Sequence, residues 1–415
     1  MDPIILPSPN RHAPTEIPQS TEKNGLPIPQ LASFFATHDS TVSWGRRGHH
    51  GSWKHALGCA SIMILCPLLV VFYWVALASF QGSLLAAWQA MLTLGPISFF
   101  WSHAPRADYK VHLVYGSYML CQAGLYHFLP GTWSIGQLTP AGHLLEYRTN
   151  GFFAWAFTHL LFGASVLQGC IDPAIIARNW EPLLATANIC GLAVSLFVFI
   201  KAHLFPTHEG DRKFSGSMWY DLYMGIEFNP RLGRYFDFKL FCNGRMGMLL
   251  WTLMPSDLSF VAYQYQLHGF ITKSIVIATI FHTVYTVDFF INEDWYLRTI
   301  DICHDHFGFY LAWGCIVWLP SIYTLQTQYL AYNPVHLSNF HAAAILVAGV
   351  GGYAIFRSVN HQKDLVRRMK GDCELWGAPA KVIRVKYQTK DGLVHERNVV
   401  DDEECLSEVT GGRMG

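Results

Sequence analysis

The sequence predicts an all-α protein, a polytopic transmembrane helical bundle with about eight or nine membrane segments. Of its 415 residues, 51% are hydrophobic and 14% are charged, and the mean hydropathy is positive. Nine apolar stretches follow one another along the chain, most of them close to the roughly 20 residues that a helix needs to cross a bilayer. Tryptophan and tyrosine residues lie at the ends of several stretches, as is typical of membrane interfaces.

The first apolar stretch, Ala56–Phe80, contains no charged residue and is the clearest membrane span. The other candidates follow it in order. They are Leu84–Trp101, Tyr109–His127, Gly151–Leu167, Leu183–Leu204, Met248–Leu267, Ser274–Ile291, Phe307–Leu330 and His341–Phe356.

Two of these stretches are candidates for interrupted helices. Leu84–Trp101 includes Gly95-Pro96 and Met248–Leu267 includes Pro255, so each is a candidate for a broken or re-entrant helix. Nine full crossings from a cytosolic start would place the basic residues 357–370 on the far side, against the tendency of Lys and Arg to face the cytosol. We therefore expect one stretch not to cross, and favour Leu84–Trp101.

Composition divides the chain into four parts. Residues 1–54 are polar and proline-rich and predict a disordered cytosolic N-terminal tail. Residues 55–357 form the transmembrane core. Residues 358–400 predict a cytosolic segment that ends in a hairpin, because Lys-Asp-Gly separates two β-rich runs. Residues 401–415 are acidic and glycine-rich, and predict a disordered tail.

Net charge and cysteine usage argue against two functional classes. Lys plus Arg and Asp plus Glu both number 29 without a long run of like charge, so nothing indicates a nucleic-acid partner. The ten cysteines are scattered, and none forms the CxxC pair typical of zinc or redox sites. His304 and His306 could suggest a metal site, but the chain lacks the further histidine clusters of membrane di-iron oxidases. We expect no metal.

The densest polar cluster is the acid segment, residues 287–310, whose charged residues fall between or just inside two apolar stretches. Ionisable groups near a bilayer core are costly, and burial raises the pKa of a carboxyl group so that it can hold a proton for transfer. Asp288, Asp301, His304 and Asp305 are therefore candidate catalytic residues. The alternative is a solvated loop with helix caps and salt bridges.

A second cluster, the NPR segment (residues 216–245), combines many aromatic residues with fixed charges. Aromatic rings beside a few charges suit a flat apolar ligand with one polar end. The alternative is an interfacial loop whose rings lie among lipid head groups.

A third cluster, the basic segment (residues 357–370), places Lys363 and Arg367 four residues apart and therefore on one helix face. The pair could clamp a phosphate, or it could anchor the helix to anionic lipid. No GxGxxG or P-loop motif occurs in a strand-turn-helix context, so any nucleotide must bind by another architecture.

Together, the three segments resemble the sterol reductases of the Δ14 and Δ7 type. That family carries a G-x-x-x-[YH]-D-x-x-x-G-x-x-x-NPR pattern, matched here by Gly216, Tyr220, Asp221, Gly225, Asn229, Pro230 and Arg231. The stretches FDFKLFCNGR, NEDWYLRTIDICHDHFGFYLAWG and NHQKDLVRR resemble the Δ7 branch of the family. The resemblance covers roughly residues 56–400.

The resemblance implies a multi-pass protein of the endoplasmic reticulum membrane, with a sterol pocket open to the bilayer and an NADPH pocket open to the cytosol. It implies protonation of the C7=C8 bond of a 5,7-diene sterol and hydride transfer from NADPH, and it admits other sterol-biosynthesis enzymes as partners. Lys363, Arg367 and Val400 become cofactor contacts. The sterol-site candidates are Tyr220, Asp221, Asn229 and Arg231.

The sequence departs from the family pattern at two places. Met246 stands where the Δ7 branch usually has proline. After Val400 the chain reads DDEECLSEVTGGRMG instead of the family's GWWG-RH-NY type segment and further helices. We expect the cofactor pocket to be incomplete for this reason, and the chain as written to have little or no reductase activity. Two alternatives stay open, a non-catalytic sterol-binding membrane protein and a Δ14-sterol reductase.

Overall fold

A computed structural model describes residues 53–252, 257–369, 371–375, 377–380, 382–388 and 394–400. The predicted N-terminal tail, residues 1–54, lies almost wholly outside these ranges, and the predicted tail at 401–415 lies entirely outside them. The turn of the predicted C-terminal hairpin, residues 389–393, is also outside.

Helices dominate the described residues, as the apolar stretches predict. The first half contains α1 (Trp53–Ser79), α2 (Leu84–Leu94), α3 (Pro96–Ser102), α4 (Tyr109–Phe128), strands β1 (Thr132–Leu138) and β2 (Leu144–Thr149), α5 (Gly151–Leu167), α6 (Ile175–Arg178), α7 (Trp180–Leu204) and α8 (Met218–Met224). Strands β1 and β2 pair antiparallel, with Thr132 opposite Thr149.

The second half alternates short helical pieces with two long helices. It contains β3 (Arg231–Leu232), β4 (Phe236–Asp237), α9 (Phe238–Phe241), the π-helix π1 (Cys242–Met248), α10 (Leu249–Thr252), α11 (Asp257–His268), α12 (Lys273–Ile291), α13 (Glu293–Tyr296), α14 (Ile300–Cys303), α15 (Phe309–Trp313), the π-helix π2 (Gly314–Trp318), α16 (Leu319–Ile322), α17 (Leu325–Tyr332) and α18 (Asn339–Arg368).

Four described helices, α1, α7, α12 and α18, are long and apolar enough to cross a membrane. Helices α2 and α3 form a bent pair that makes a fifth candidate, and the shorter α5 is also apolar. The chain is therefore a multi-pass membrane protein. The predicted count of eight or nine spans is not confirmed by these helices.

Internal breaks explain part of the difference. The stretch Met248–Leu267 begins at the last residue of π1, and its Pro255 lies in residues 253–256, outside the described part of the chain. The stretch Phe307–Leu330 divides into α15, π2, α16 and α17. Pro320 stands at the start of α16, where it has no N–H for the carbonyl one turn earlier, and the preceding turn is π-helical.

The break predicted at Gly95-Pro96 is confirmed. The chain bends by 114° between α2 and α3. Gly95 adopts a φ of 80°, which a residue with a side chain rarely tolerates, and Pro96 starts the next helix. Neither piece is long enough to cross a bilayer alone, since 11 and 7 residues span about 16 and 10 Å at 1.5 Å per residue.

The described C-terminal residues form strands. These are β5 (Glu374–Leu375), β6 (Ala378–Pro379), β7 (Val382–Gln388) and β8 (Val394–Val400). Strands β7 and β8 pair antiparallel, with Val382 opposite Val400, and β8 lies against α18. The cytosolic location of this pair stays a prediction.

The largest buried core lies where α7 packs on α15 and π2. Gly191 of α7 permits this approach, because a Cβ at that position would come within 2.9 Å of the Trp313 ring. The Trp313 indole nitrogen donates to the side-chain oxygen of Asn188 at 3.1 Å. The two π-helices also pack on each other, which positions the end of the NPR segment next to the helix that follows the acid segment.

Candidate functional site

The NPR segment and the acid segment meet through a direct backbone contact. The amide of Phe307 donates to the carbonyl of Glu227 at 3.0 Å. A Cβ added to Gly308 would lie 2.1 Å from the amide nitrogen of Gly225, and a Cβ added to Gly225 would lie 2.5 Å from that of Gly308. Side chains cannot enter this contact, so the two glycines bring the segments together.

A buried lysine joins the same two segments. The ammonium of Lys239 donates to the carbonyl oxygens of Ile302 at 3.1 Å and Asp305 at 2.6 Å. It also lies 4.9 Å from the centre of the Phe228 ring. The Asn229 amide adds a longer contact of 3.4 Å to the carbonyl of Ile302. The turn that carries Asp301, His304 and Asp305 is therefore fixed from the NPR side.

The carboxyl groups of this turn hold protons more tightly than ordinary aspartates. Burial raises the pKa of Asp305, while a hydrogen bond from Tyr310 and the charge of Lys239 oppose the shift. Burial and then the charge of Asp305 raise the pKa of Asp301, again opposed by Lys239. The Asp301 side chain still reaches solvent, which screens part of its shift. His304, between the two, is half-buried.

Asp288 lies apart from this pair and faces α18. Its carboxylate accepts a hydrogen bond from the Tyr353 hydroxyl at 2.9 Å and pairs with the Arg357 guanidinium at 3.2 Å. Arg357 also stacks over the Trp295 ring at 4.6 Å. Of the four predicted catalytic residues, the structure thus groups Asp301, His304 and Asp305 on one short turn and directs Asp288 towards the basic segment.

A second charged contact joins the acid segment to the basic segment. Arg298 pairs with Asp364 at 2.6 Å and with Asp294 at 2.8 Å. Asp364 is buried and pairs also with Arg368 at 2.7 Å. The acid segment therefore lies between the two other segments and contacts both.

The predicted cofactor residues lie on and beside α18. Lys363 and Arg367 are half-buried on the last two turns of that helix. Val400 ends strand β8, which lies against the same helix, and its side chain is outside the described part of the structure. The guanidinium groups of Arg298 and Arg368 pair with the carboxylate of Asp364, which lies between Lys363 and Arg367 in the sequence. An ammonium and a guanidinium are donor types that fit a phosphate-bearing cofactor.

The predicted sterol-site residues lie mostly in the packed interior of the NPR segment. Arg231 pairs with the Asp237 carboxylate at 3.1 Å and donates to the carbonyls of Glu146 and Arg234. Asp221 is buried and accepts from the Ser215 amide at 3.0 Å. Their contact with a sterol stays a prediction.

Tyr220 is less buried than that pair, whereas Asn229 is as buried as they are. Tyr220 is half-buried on α8. Asn229 lines a narrow crevice that leaves no room for a water molecule. A sterol could therefore not enter this crevice as it stands.

Two charged residues of the NPR and acid segments were not among the candidate site residues. Arg245, on π1, is almost fully buried and donates to the side-chain oxygen of Asn150, and two of its nitrogens have no hydrogen-bond partner among the described residues. Glu293 accepts from the Gly151 amide at 2.7 Å, and burial raises its pKa although Arg245 opposes the shift. A charged residue between two glycines, next to an apolar stretch, was the available signal for Arg245.

Sequence comparison identifies the relatives of this chain. A 7-dehydrocholesterol reductase of Danio rerio is 44% identical over 86% of the chain and 77% of the relative. A Delta(14)-sterol reductase of Methylotuvimicrobium alcaliphilum is 37% identical over 78% and 74%, and a 7-dehydrocholesterol reductase of Arabidopsis thaliana is 32% identical over 80% and 76%. The profile of the ergosterol biosynthesis ERG4/ERG24 family matches residues 41–393. With its three polar segments joined as described and this match over most of its length, the chain belongs to the ERG4/ERG24 family.

Proposed function

We propose that the chain is a sterol Δ7-reductase, which reduces the C7=C8 bond of 5,7-diene sterols with NADPH in sterol biosynthesis. The similarity to relatives named 7-dehydrocholesterol reductase supports this substrate class. The observation that carries the proposal is the placement of the acid segment, which contacts the NPR segment through Lys239 and the basic segment through Arg298 and Asp288. The acid segment thus carries the proposed proton donor and contacts the proposed phosphate-binding helix.

We assign the proton donor to the turn that carries Asp301, His304 and Asp305 rather than to Asp288. A general acid must be protonated near neutral pH, and the raised pKa values of Asp301 and Asp305 favour that state. Asp288 instead pairs with the guanidinium of Arg357 and accepts a hydrogen bond from the Tyr353 hydroxyl, both on α18. Its proposed role is to hold α18 against the acid segment.

The cofactor side of the proposed site is formed by Lys363, Arg367 and Val400. NADPH would supply the hydride that completes reduction of the double bond. Lys363 and Arg367 would bind its phosphates, since Arg offers paired donors and Lys a point charge. The sterol side would include Tyr220 and Asn229.

The proposed setting is the endoplasmic reticulum membrane, because the sterol substrate is itself a membrane lipid. The bilayer would deliver the sterol between apolar helices such as α1 and α12, whose exposed surfaces are rich in large hydrophobic side chains. Other sterol-biosynthesis enzymes are possible partners in that membrane.

The test is to express the chain in cells that accumulate a 5,7-diene sterol, and to follow the ultraviolet absorbance of the conjugated diene in isolated membranes with NADPH. We expect the absorbance to fall with time and with added NADPH. An unchanged absorbance, with the chain present at normal levels in the membrane, would overturn the proposal and agree with the expectation drawn from residues 401–415.

A Δ14-sterol reductase is the second candidate, because relatives with that name are 37% and 34% identical to this chain. The same membranes, supplied with an 8,14-diene sterol, separate the two reactions. Reduction of the 8,14-diene alone would favour this candidate. Saturable sterol binding without reduction of either diene would instead favour a sterol-binding protein.

A further inference from the structure

Lys239 is buried in a way that requires explanation. Only 1% of the residue is exposed, and its ammonium donates to two backbone carbonyls rather than to a carboxylate. Both carbonyls belong to the turn at Ile302 and Asp305. An ammonium loses its hydration when it is buried, so such a site is stable only if its contacts are worth more than that loss.

Lys201 provides a comparison within the same protein. It is equally buried, but it contacts both oxygens of the Glu227 carboxylate, at 3.0 and 2.9 Å, and the Thr207 hydroxyl at 3.0 Å. Its charge is therefore neutralised by a direct ion pair. The nearest acid to Lys239 in sequence, Asp237, is held by Arg231.

The groups that act on Lys239 electrostatically are Asp237 first and then residues of the turn. Burial lowers its pKa to about 8, and Asp237, Asp305, Cys303 and Asp301 oppose that shift in decreasing order. Lys239 in turn opposes the raised pKa values of both Asp301 and Asp305. The lysine is thus coupled to the two carboxyl groups without binding either one directly.

We propose that Lys239 is a positioning residue, whose buried ammonium folds the turn at 302–305 around itself and thereby sets the place and the proton affinity of Asp301 and Asp305. This role deepens the proposed reductase function and rests on it. The lysine does not transfer the proton. It keeps a positive charge behind the two acids, so that they release a proton more readily than burial alone would permit.

The first test uses hydrogen exchange and requires no activity. Lys239→Met in the full chain, in lipid nanodiscs, removes two charge-assisted hydrogen bonds from the turn, so we expect roughly ten- to a hundredfold faster amide exchange at 300–306. Lys201→Met is the matched control, since it removes an equally buried lysine. It should accelerate exchange near Thr207 and leave 300–306 slower than in Lys239→Met. Equal exchange at 300–306 in the two variants would overturn the positioning role.

If the variant does not fold, the pH dependence of amide exchange in the wild-type protein tests the same role. A neutral amine forms weaker hydrogen bonds than an ammonium. After correction for intrinsic exchange, protection of 300–306 should fall as the pH passes about 8, the pKa of Lys239, while protection of α7 stays constant. Constant protection of 300–306 across this range would contradict the proposal.

The second test uses the pH dependence of sterol reduction. A reaction that needs a protonated acid slows as the pH rises through the pKa of that acid. Without the Lys239 charge the pKa values of Asp301 and Asp305 should rise, so the falling limb of the pH profile should move to higher pH in Lys239→Met. If the falling limb of the pH profile stays at the same pH in this variant, the electrostatic part of the role of Lys239 is overturned. If amide exchange changes as expected but the wild-type protein reduces no sterol, the positioning role of Lys239 is supported and the proposed reductase function is wrong.

Discussion

The acid segment is held differently on its two sides. Towards the NPR segment, the contacts are buried and largely made by backbone, with Gly225 against Gly308 and Lys239 on two carbonyls. Towards α18, they are ion pairs between side chains, Arg298 with Asp364 and Asp288 with Arg357, in which the two arginines are 16% and 30% exposed. Backbone contacts in a closed interior allow little movement, whereas long charged side chains that still reach solvent can rearrange. The proposed proton donor is thus fixed more rigidly than the proposed cofactor helix.

The largest expected effect is on the rigid side. Gly308→Ala places a methyl group on the backbone of the NPR segment, which cannot move without separating the two segments, so we expect loss of folded protein. Gly314→Ala is the control a few residues later, because no atom lies within 4 Å of its added Cβ. Yield and a monodisperse elution profile in detergent measure the outcome. Normal yield of Gly308→Ala would show that this contact is not rigid.

A second variant compares a buried pair with an exposed one in the NPR segment. Arg231→Met leaves the Asp237 carboxylate, which is 0% exposed, without its cation, and should cost about 3 to 5 kcal/mol. Arg234→Met removes an arginine that is 70% exposed, and should cost about 1 kcal/mol or less. Thermal unfolding in nanodiscs checks both. Similar midpoints would mean that solvent reaches Arg231.

On the α18 side, the expected effect is smaller and concerns the cofactor. Arg298→Met removes the link from the acid segment to Asp364 and also lowers the positive potential near Lys363 and Arg367, so both changes weaken NADPH binding. We expect KM for NADPH to rise about tenfold, or about 1.4 kcal/mol, with kcat little changed. Arg178→Met, which breaks an exposed pair with Asp172, is the control. A fall in kcat alone would place Arg298 with the proton donor.

The smallest effect is a pH-dependent one at the turn. Because the pKa of Asp305 is raised on folding, its favourable contribution is present below the ordinary value of about 3.9 and is lost as the pH rises through the folded value. Asp305→Asn cannot ionise and avoids that loss. We expect this variant to unfold at a slightly higher temperature than wild type at pH 7.5, with the difference shrinking towards pH 4.

Asp172 should contribute to stability with the opposite pH dependence. Hydrogen bonds from the Ala174 amide and from Gln266 lower its pKa, so its contribution is present above the ordinary value and is lost as the pH falls. Asp172→Asn should therefore be less stable than wild type at pH 7.5, and should match it at low pH. If both variants are more stable than wild type at pH 7.5, or both are less stable, the environments of the two carboxyl groups do not differ as described.

The predictable parts of the structure were those with strong local signals. Uninterrupted apolar runs predicted α1 and α7, and Gly95-Pro96 predicted the bend between α2 and α3. The three polar segments were also recognisable, because charge is rare in this chain and therefore conspicuous. Their role as one connected site followed only once the contacts Lys239 to Asp305 and Arg298 to Asp364 were visible.

Other parts depend on contacts that are distant in sequence. Nothing local distinguishes Lys239, which binds the turn, from Lys213 or Lys110, since its role depends on carbonyls more than 60 residues away. The two π-helices likewise arise where helices pack on each other. One apolar span, Phe307–Leu330, was predicted across π2, whereas π1 lies almost wholly in the NPR segment, outside the predicted spans. Asp288 was grouped with Asp301 by proximity in sequence, whereas helix α12 turns it towards Arg357.

The contact between Gly225 and Gly308 has a consequence for sequence variation. When two side chains touch, an enlargement of one can be offset by a reduction of the other, and such paired changes let related sequences diverge. Here both partners are already the smallest residue, so neither position can compensate for a change at the other. We expect no second-site suppressor of Gly308→Ala at position 225, and the two positions should be invariant together in any relative that keeps this junction.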